Sequence, residues 1–239
     1  MKKSLGQFLF ILVFSGLNLS PLSSAQQDKP SFDKSRVPSS GNAAKDFVPP
    51  GWKIEEQIAG DLNGDSAPDY ALKLVEDQPA TDKEGIATER QRALVIVFAS
   101  SEGKLSRAAV SDNLLQCTRC GGAFYGVVES PANVKIEKGV LVVEQDHGSR
   151  NITDTTFRFR YEEDTGKLAL IGFDLSDTDR LTGNTVSEST NYLTGVRIVT
   201  RGKGNKDTTS RTQIAKKRIY LDEIDGGEME TAAYQRLKL

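Results

Sequence analysis

The sequence is short of the residues on which much enzyme and metal chemistry depends. It holds one His and two Cys among 239 residues. A Cys-x-x-Cys zinc site would need two further ligands, which a single His cannot supply. The formal net charge of −2 excludes a globally basic nucleic-acid binder. Long hydrophobic runs are missing as well. The strongly apolar stretch at residues 8–14 (FLFILVF) falls far short of the roughly 20 residues needed to span a bilayer. Helix-period patterning is scarce, and no catalytic spacing stands out. His147 lies in EQDHGSRN beside Asp146 and Ser149. Neighbours on an extended segment point to opposite faces, whereas the members of a Ser-His-Asp triad must converge. His147 therefore reads as a polar residue at a strand end.

What is present begins with an export signal. Lys2 and Lys3 precede the apolar run, and the small residues Ser23 and Ala25 occupy the −3 and −1 positions before Gln26. Residues 1–25 are thus expected to be a cleaved signal peptide, giving a secreted or periplasmic protein with no membrane span after cleavage. No Cys stands at the cleavage point to carry a lipid anchor. Residues 26–48, rich in Ser, Asp, Lys and Pro, read as a disordered linker. A β-rich domain is expected over 49–225. A C-terminal tail follows at 226–239, with a short helix around 228–237.

The two cysteines, Cys117 and Cys120, stand in QCTRCGGAF. In an exported protein such a pair favours a local disulfide. A thioredoxin-like site would place it at a helix N-terminus in an α/β framework, and no such alternation occurs.

From Trp52 onward, short strand patterns alternate with glycine turns. Residues 93–98 (ALVIVF) form a continuous apolar run of buried-strand length. Lys138-Gly139 joins two strand patterns as a hairpin. In 155–161, Phe157, Phe159 and Tyr161 share one face, and Thr156, Arg158 and Arg160 share the other. The fold class expected is all-β, an antiparallel meander forming a sandwich or barrel, with a partial β-propeller as the alternative.

Residues 60–72, GDLNGDSAPDYAL, place Asp61, Asn63, Asp65 and Asp69 at relative positions 1, 3, 5 and 9. Short oxygen-bearing side chains at such spacing suit a hard cation that takes about six to eight oxygen ligands. The stretch resembles the calcium loops of FG-GAP and VCBS-type repeats, which follow D-x-N-x-D-G-x-x-D with an apolar strand. The resemblance implies a bound Ca²⁺ held by Asp61, Asn63, Asp65 and Asp69, with Ala67 lending its carbonyl oxygen. Ser66 stands where the pattern prefers Gly, and Leu72 occupies loop position 12 where an EF-hand has a bidentate Glu. Both departures imply a weak site. The loop pattern occurs once, whereas a propeller would repeat its motif every 40–50 residues or so, and one compact β domain is preferred. Together, PPGW, GDLNGD and the later NYLTG resemble a group of secreted bacterial proteins of unassigned function.

Two acidic clusters, Asp174-Asp177-Asp179 and Asp222-Glu223-Asp225, read as surface acid. As a glycosidase pair they would need carboxyls facing each other across a sugar cleft. Residues 201–218 carry seven Lys or Arg against one Asp. They read as a solvated hairpin loop, with contact to a polyanion as the functional alternative. The function expected is a non-enzymatic β module with one calcium loop and a binding or envelope-associated role. The alternative is a secreted hydrolase using acidic residues. Exported protein should begin at Gln26, which intact mass spectrometry will read directly; an intact Met1 terminus would refute the export signal.

Overall fold

Runs of apolar and β-branched residues between glycine turns fold here into strands, and their burial pattern decides how the strands stack. The computed structural model describes residues 32–204 and 206–239; the expected signal segment lies outside them. Among the described residues, twelve strands form two antiparallel sheets. The first contains β1 (Ser40–Gly41), β2 (Trp52–Gly60), β3 (Asp69–Glu76), β4 (Arg92–Ala99) and β5 (Leu105–Ser111), in the order β1-β5-β4-β3-β2. The second contains β6 (Ala132–Glu137), β7 (Val140–Gly148), β8 (Asn151–Glu162), β9 (Lys167–Asp179), β10 (Thr185–Asn191), β11 (Val196–Lys203) and β12 (Lys206–Gln213), an unbroken meander. The two sheets pack face to face as a sandwich, with no closed barrel.

One core lies between the sheets. Ala71, Leu94 and Ile96 of the first meet Leu141, Phe157, Phe159 and Phe173 of the second. The other face of the first sheet carries Leu72, Leu74, Val95 and Val97, and it too is covered. Burial on both faces explains why β4 reads as a continuous apolar run, while β8, with one wet face, alternates. Lys138 and Gly139 both adopt positive φ, 51° and 75°, as a two-residue hairpin of the primed type requires. At the edge where the sheets meet, Gly60 ends β2 so close to β6 that a Cβ there would stand 2.5 Å from Cγ2 of Ile136.

The cover on the first sheet's outer face corrects the expected linker. Residues 32–48 are built into the domain: Phe32, Val37 and Phe47 are buried, and β1 pairs with β5. Phe32 packs edge-to-face on Trp52 with ring centroids 4.7 Å apart. The polar composition hid this because three apolar side chains, widely spaced, suffice to cap a flat apolar face. A second correction concerns the basic stretch. Residues 206–213 form a strand paired with β11 rather than a loop, and all eight are exposed. An edge strand wet on both faces has no apolar alternation to read, and its charges guard against edge-to-edge pairing.

The helix α1 (Gly226–Leu237) closes the remainder of the sandwich. Asp225 caps it by accepting a hydrogen bond from the N–H of Glu228 at 2.9 Å. Ala233 and Leu237 are buried in the core between the sheets. Polar pins surround them: Tyr234 and Thr153 share a hydroxyl hydrogen bond of 2.6 Å, and Arg201 donates to the Leu237 carbonyl at 2.7 Å. Arg236 donates twice to the fully buried carboxylate of Glu188, at 2.9 and 2.6 Å. Nε2 of His147 lies 2.7 Å from Glu230. Asp146, its neighbour on the opposite face of β7, takes the Tyr125 hydroxyl instead.

The Glu230 carboxylate raises the His147 pKa against the opposing effect of burial. A folded value above the ordinary 6.5 means that this contact stabilises fully below about pH 6.5 and is lost as pH rises through the folded value. His147 is the only His in the chain, so its imidazole resonances report α1 docking without overlap. Proton NMR titration should give a pKa above 6.5 in the native protein, and a value at or below it in Glu230→Gln.

Candidate functional site

The loop between β2 and β3 is organised by its own acidic side chains. Asp61 accepts hydrogen bonds from the N–H of Gly64 through Oδ1 at 2.7 Å and from that of Ser66 through Oδ2 at 3.0 Å. Oδ1 of Asn63 accepts from the Asp65 N–H at 3.0 Å, and Oδ1 of Asp65 accepts from the Ala67 N–H at 2.8 Å. These are Asx turns in series, each short side chain bonding backbone two to five residues on. The chain bends through positive φ at Gly64, 83°, and at Ser66, 67°. Ser66 therefore holds the left-handed conformation that the sequence pattern assigns to Gly, at some steric cost. Leu62 is buried in the inter-sheet core and anchors the loop from below.

Asp69 has a separate task. Its carboxylate is wholly buried and accepts three backbone N–H bonds: Leu62 at 2.8 Å and Asn63 at 3.3 Å through Oδ2, and Ala99 at 3.0 Å through Oδ1. It ties the start of the loop to the end of β4. Burial pushes its pKa up, while the three N–H donors pull it down and the nearby Asp65 charge adds to the rise. With the folded value above the ordinary one, the cost of ionising Asp69 grows as pH rises through that window.

Asp61, Asn63 and Asp65 face outward, half-buried or exposed. Each of their carboxyl and amide oxygens that accepts a loop N–H keeps a second lone pair, an oxygen-only donor set of the kind a hard cation takes. Among the described residues, no group of three or more His, Cys, Asp or Glu side chains is placed to hold a metal. The loop's donors are therefore two carboxylates and an amide, with Asp69 committed to the backbone beneath. The loop borders a cleft of about 630 Å³ that Ile136, Lys138, Arg160, Tyr161 and Glu163 also line.

The acidic clusters separate into unrelated contacts. Asp174 pairs with Arg158, and Asp179 with Arg150 at 2.7 Å. Asp177, buried between them on the sheet's inner side, accepts from Asn151 at 2.6 Å and from Thr153 at 3.1 Å. Asp222 and Glu223 both reach Lys167, and Asp225 caps α1. Cys117 and Cys120 form a disulfide with Cα atoms 5.0 Å apart. It closes a tight turn in the long β5–β6 connection. That connection is fixed further by Thr118, whose hydroxyl accepts from the Arg90 N–H and donates to the Thr88 carbonyl.

No protein-family model matches the chain, and neither a curated protein nor a solved structure matches it. Sequence reasoning missed two things: the buried framework role of Asp69, and the pairing of His147 with Glu230. The loop spacing placed Asp69 among the calcium ligands, and nothing local announces that three N–H groups converge on it from two other segments.

Asp69→Ala would leave those three N–H groups without their acceptor. Urea unfolding in chelator should show a loss of about 3 kcal/mol or more. Asp65→Ala exposes the Ala67 N–H and the Asn63 side-chain amide to water and should cost about 1 kcal/mol or less. Equal losses would contradict the assignment of Asp69 to the framework.

Proposed function

We propose that this chain is a calcium-stapled β module of the FG-GAP or VCBS loop type, secreted or periplasmic, working by binding rather than by catalysis. The observation that carries the reading is the loop backbone. With Ser66 at φ 67° and Asp61 bonded to the N–H groups of Gly64 and Ser66, the loop backbone is already folded into the tight turn that the calcium-loop pattern requires. Those side chains, with the Ala67 carbonyl, would hold the ion. Asp69 holds the frame on which they sit, and the ion would supply the positive charge that offsets two neighbouring carboxylates. The scattered partners of the Asp174–Asp179 and Asp222–Asp225 carboxylates favour a binding module over a hydrolase that sets a carboxylate pair across a cleft.

An ion that binds the folded chain alone raises its melting temperature by mass action. Thermal melts should rise between chelator and calcium, with half-saturation in the range of about 10⁻⁴–10⁻³ M typical of extracellular modules. Asp65→Ala should abolish the rise and Asp177→Ala should retain it. Ser66→Gly should raise the melting temperature in calcium and in chelator alike, because the left-handed conformation is in place before the ion binds. Superimposable melts in calcium and chelator would refute the reading.

A further inference from the structure

The described residues leave eight large apolar side chains exposed, and five of them stand together at one end of the sandwich. Phe124, Val127 and Val128 belong to the connection that follows the disulfide, Ile86 to the turn before β4, and Leu181 to the β9–β10 turn. Backbone contacts join these segments. The Ala87 N–H donates to the Val127 carbonyl at 3.1 Å, the Gly148 N–H to Gly121 at 3.0 Å, and the Arg180 N–H to Arg150 at 3.1 Å. Leu181 is 78% exposed, and Val127 and Val128 are each 58% exposed, so these side chains protrude rather than line a groove.

Cations surround them. The strand register brings the β7–β8, β9–β10 and β11–β12 turns to this same end. Those turns and the strand ends beside them carry Arg150, Arg180, Lys203 and Lys206; Arg150 holds Asp179, and Asp207 follows Lys206. The Arg180 guanidinium lies over the Phe124 ring, 5.0 Å from its centroid, which places charge and apolar surface in direct contact. The turn bearing Ile86 adds Lys83 against Asp82 and Glu84, and Asp82 is engaged with N–H groups of its own turn. The basic 201–218 stretch is thus divided: Lys203 and Lys206 lie at this end, while Arg218 pairs with Asp164 at 2.9 Å at the opposite one.

We infer that this end of the sandwich docks on an anionic lipid surface, with Leu181, Val127, Val128 and Phe124 entering the acyl boundary and Arg180, Lys203 and Lys206 meeting the headgroup phosphates. A protruding apolar tip needs a soft apolar layer rather than a preformed pocket, and basic residues at the same level need negative charge above it. A bilayer containing anionic lipid offers both in one plane. The calcium loop lies at the other end, against the β6–β7 and β8–β9 turns, so this inference does not rest on the ion.

Vesicle flotation in chelator tests it separately from calcium binding. The protein should float with vesicles of equimolar phosphatidylglycerol and phosphatidylcholine and stay behind with pure phosphatidylcholine. Leu181→Ser with Val127→Ser, and separately Lys203→Gln with Lys206→Gln, should each weaken flotation roughly tenfold or more while leaving the melting temperature close to the parent's. Leu181→Trp should shift its emission to the blue on the anionic vesicles, against the constant background of the buried Trp52. Parent protein that stays in the lipid-free fraction would overturn the inference. So would equal binding to neutral vesicles, or capture by soluble heparin that the apolar substitutions leave unchanged.

Discussion

The two sheets are of unequal length, and most of the structure follows from how the longer one is covered. The 13 residues of β9 span about 43 Å at roughly 3.3 Å each. The 8 residues of β4 span about 26 Å on the same scale. The uncovered inner face at one end cannot be left apolar and wet. It is instead lined with Gln145, His147, Thr153, Asp177 and Glu188 and roofed by α1, whose 12 residues measure about 18 Å along the axis. A buried carboxylate such as Glu188 is tolerable only when paired, and Arg236 and Arg197 both reach it. The polar pins therefore fix where the helix sits, and its few apolar residues fill the space between.

The same geometry separates the two surfaces that carry chemistry. The Asp61–Asp69 loop stands at the end where the sheets meet at Gly60 and Ile136. The disulfide, the apolar tips and the cations of three hairpin turns stand at the far end, beyond α1. Antiparallel strands place alternate turns at opposite ends, so a meander of this length holds two distinct surfaces apart without a second domain.

Much of this was legible in the sequence where periodicity was strong. The alternation of Phe157, Phe159 and Tyr161 against Arg158 and Arg160 marks a strand with one buried face, and the apolar run in β4 marks one buried on both. Lys138-Gly139 announces its hairpin through turn chemistry alone. What stayed hidden depends on partners distant in sequence. Phe32, Val37 and Phe47 look like isolated residues in a polar spacer until the outer face of the first sheet is there to receive them. β12 has no apolar face to betray it. In the loop, the spacing marks Asp61, Asn63, Asp65 and Asp69 alike, and it cannot set Asp69 apart, because that role is fixed by the Ala99 N–H from another strand.

The central claim is that the β2–β3 loop takes up calcium on a framework already formed. Amide-resolved NMR titration tests it most directly. Addition of calcium to chelator-treated protein should shift the amides of Gly64, Asp65, Ser66 and Ala67, saturating between about 10⁻⁴ and 10⁻³ M. The turns at 148–151 and 179–184, at the far end, should stay unmoved. Unchanged loop amides at saturating calcium, or shifts centred on the acidic run at 174–179, would contradict the account.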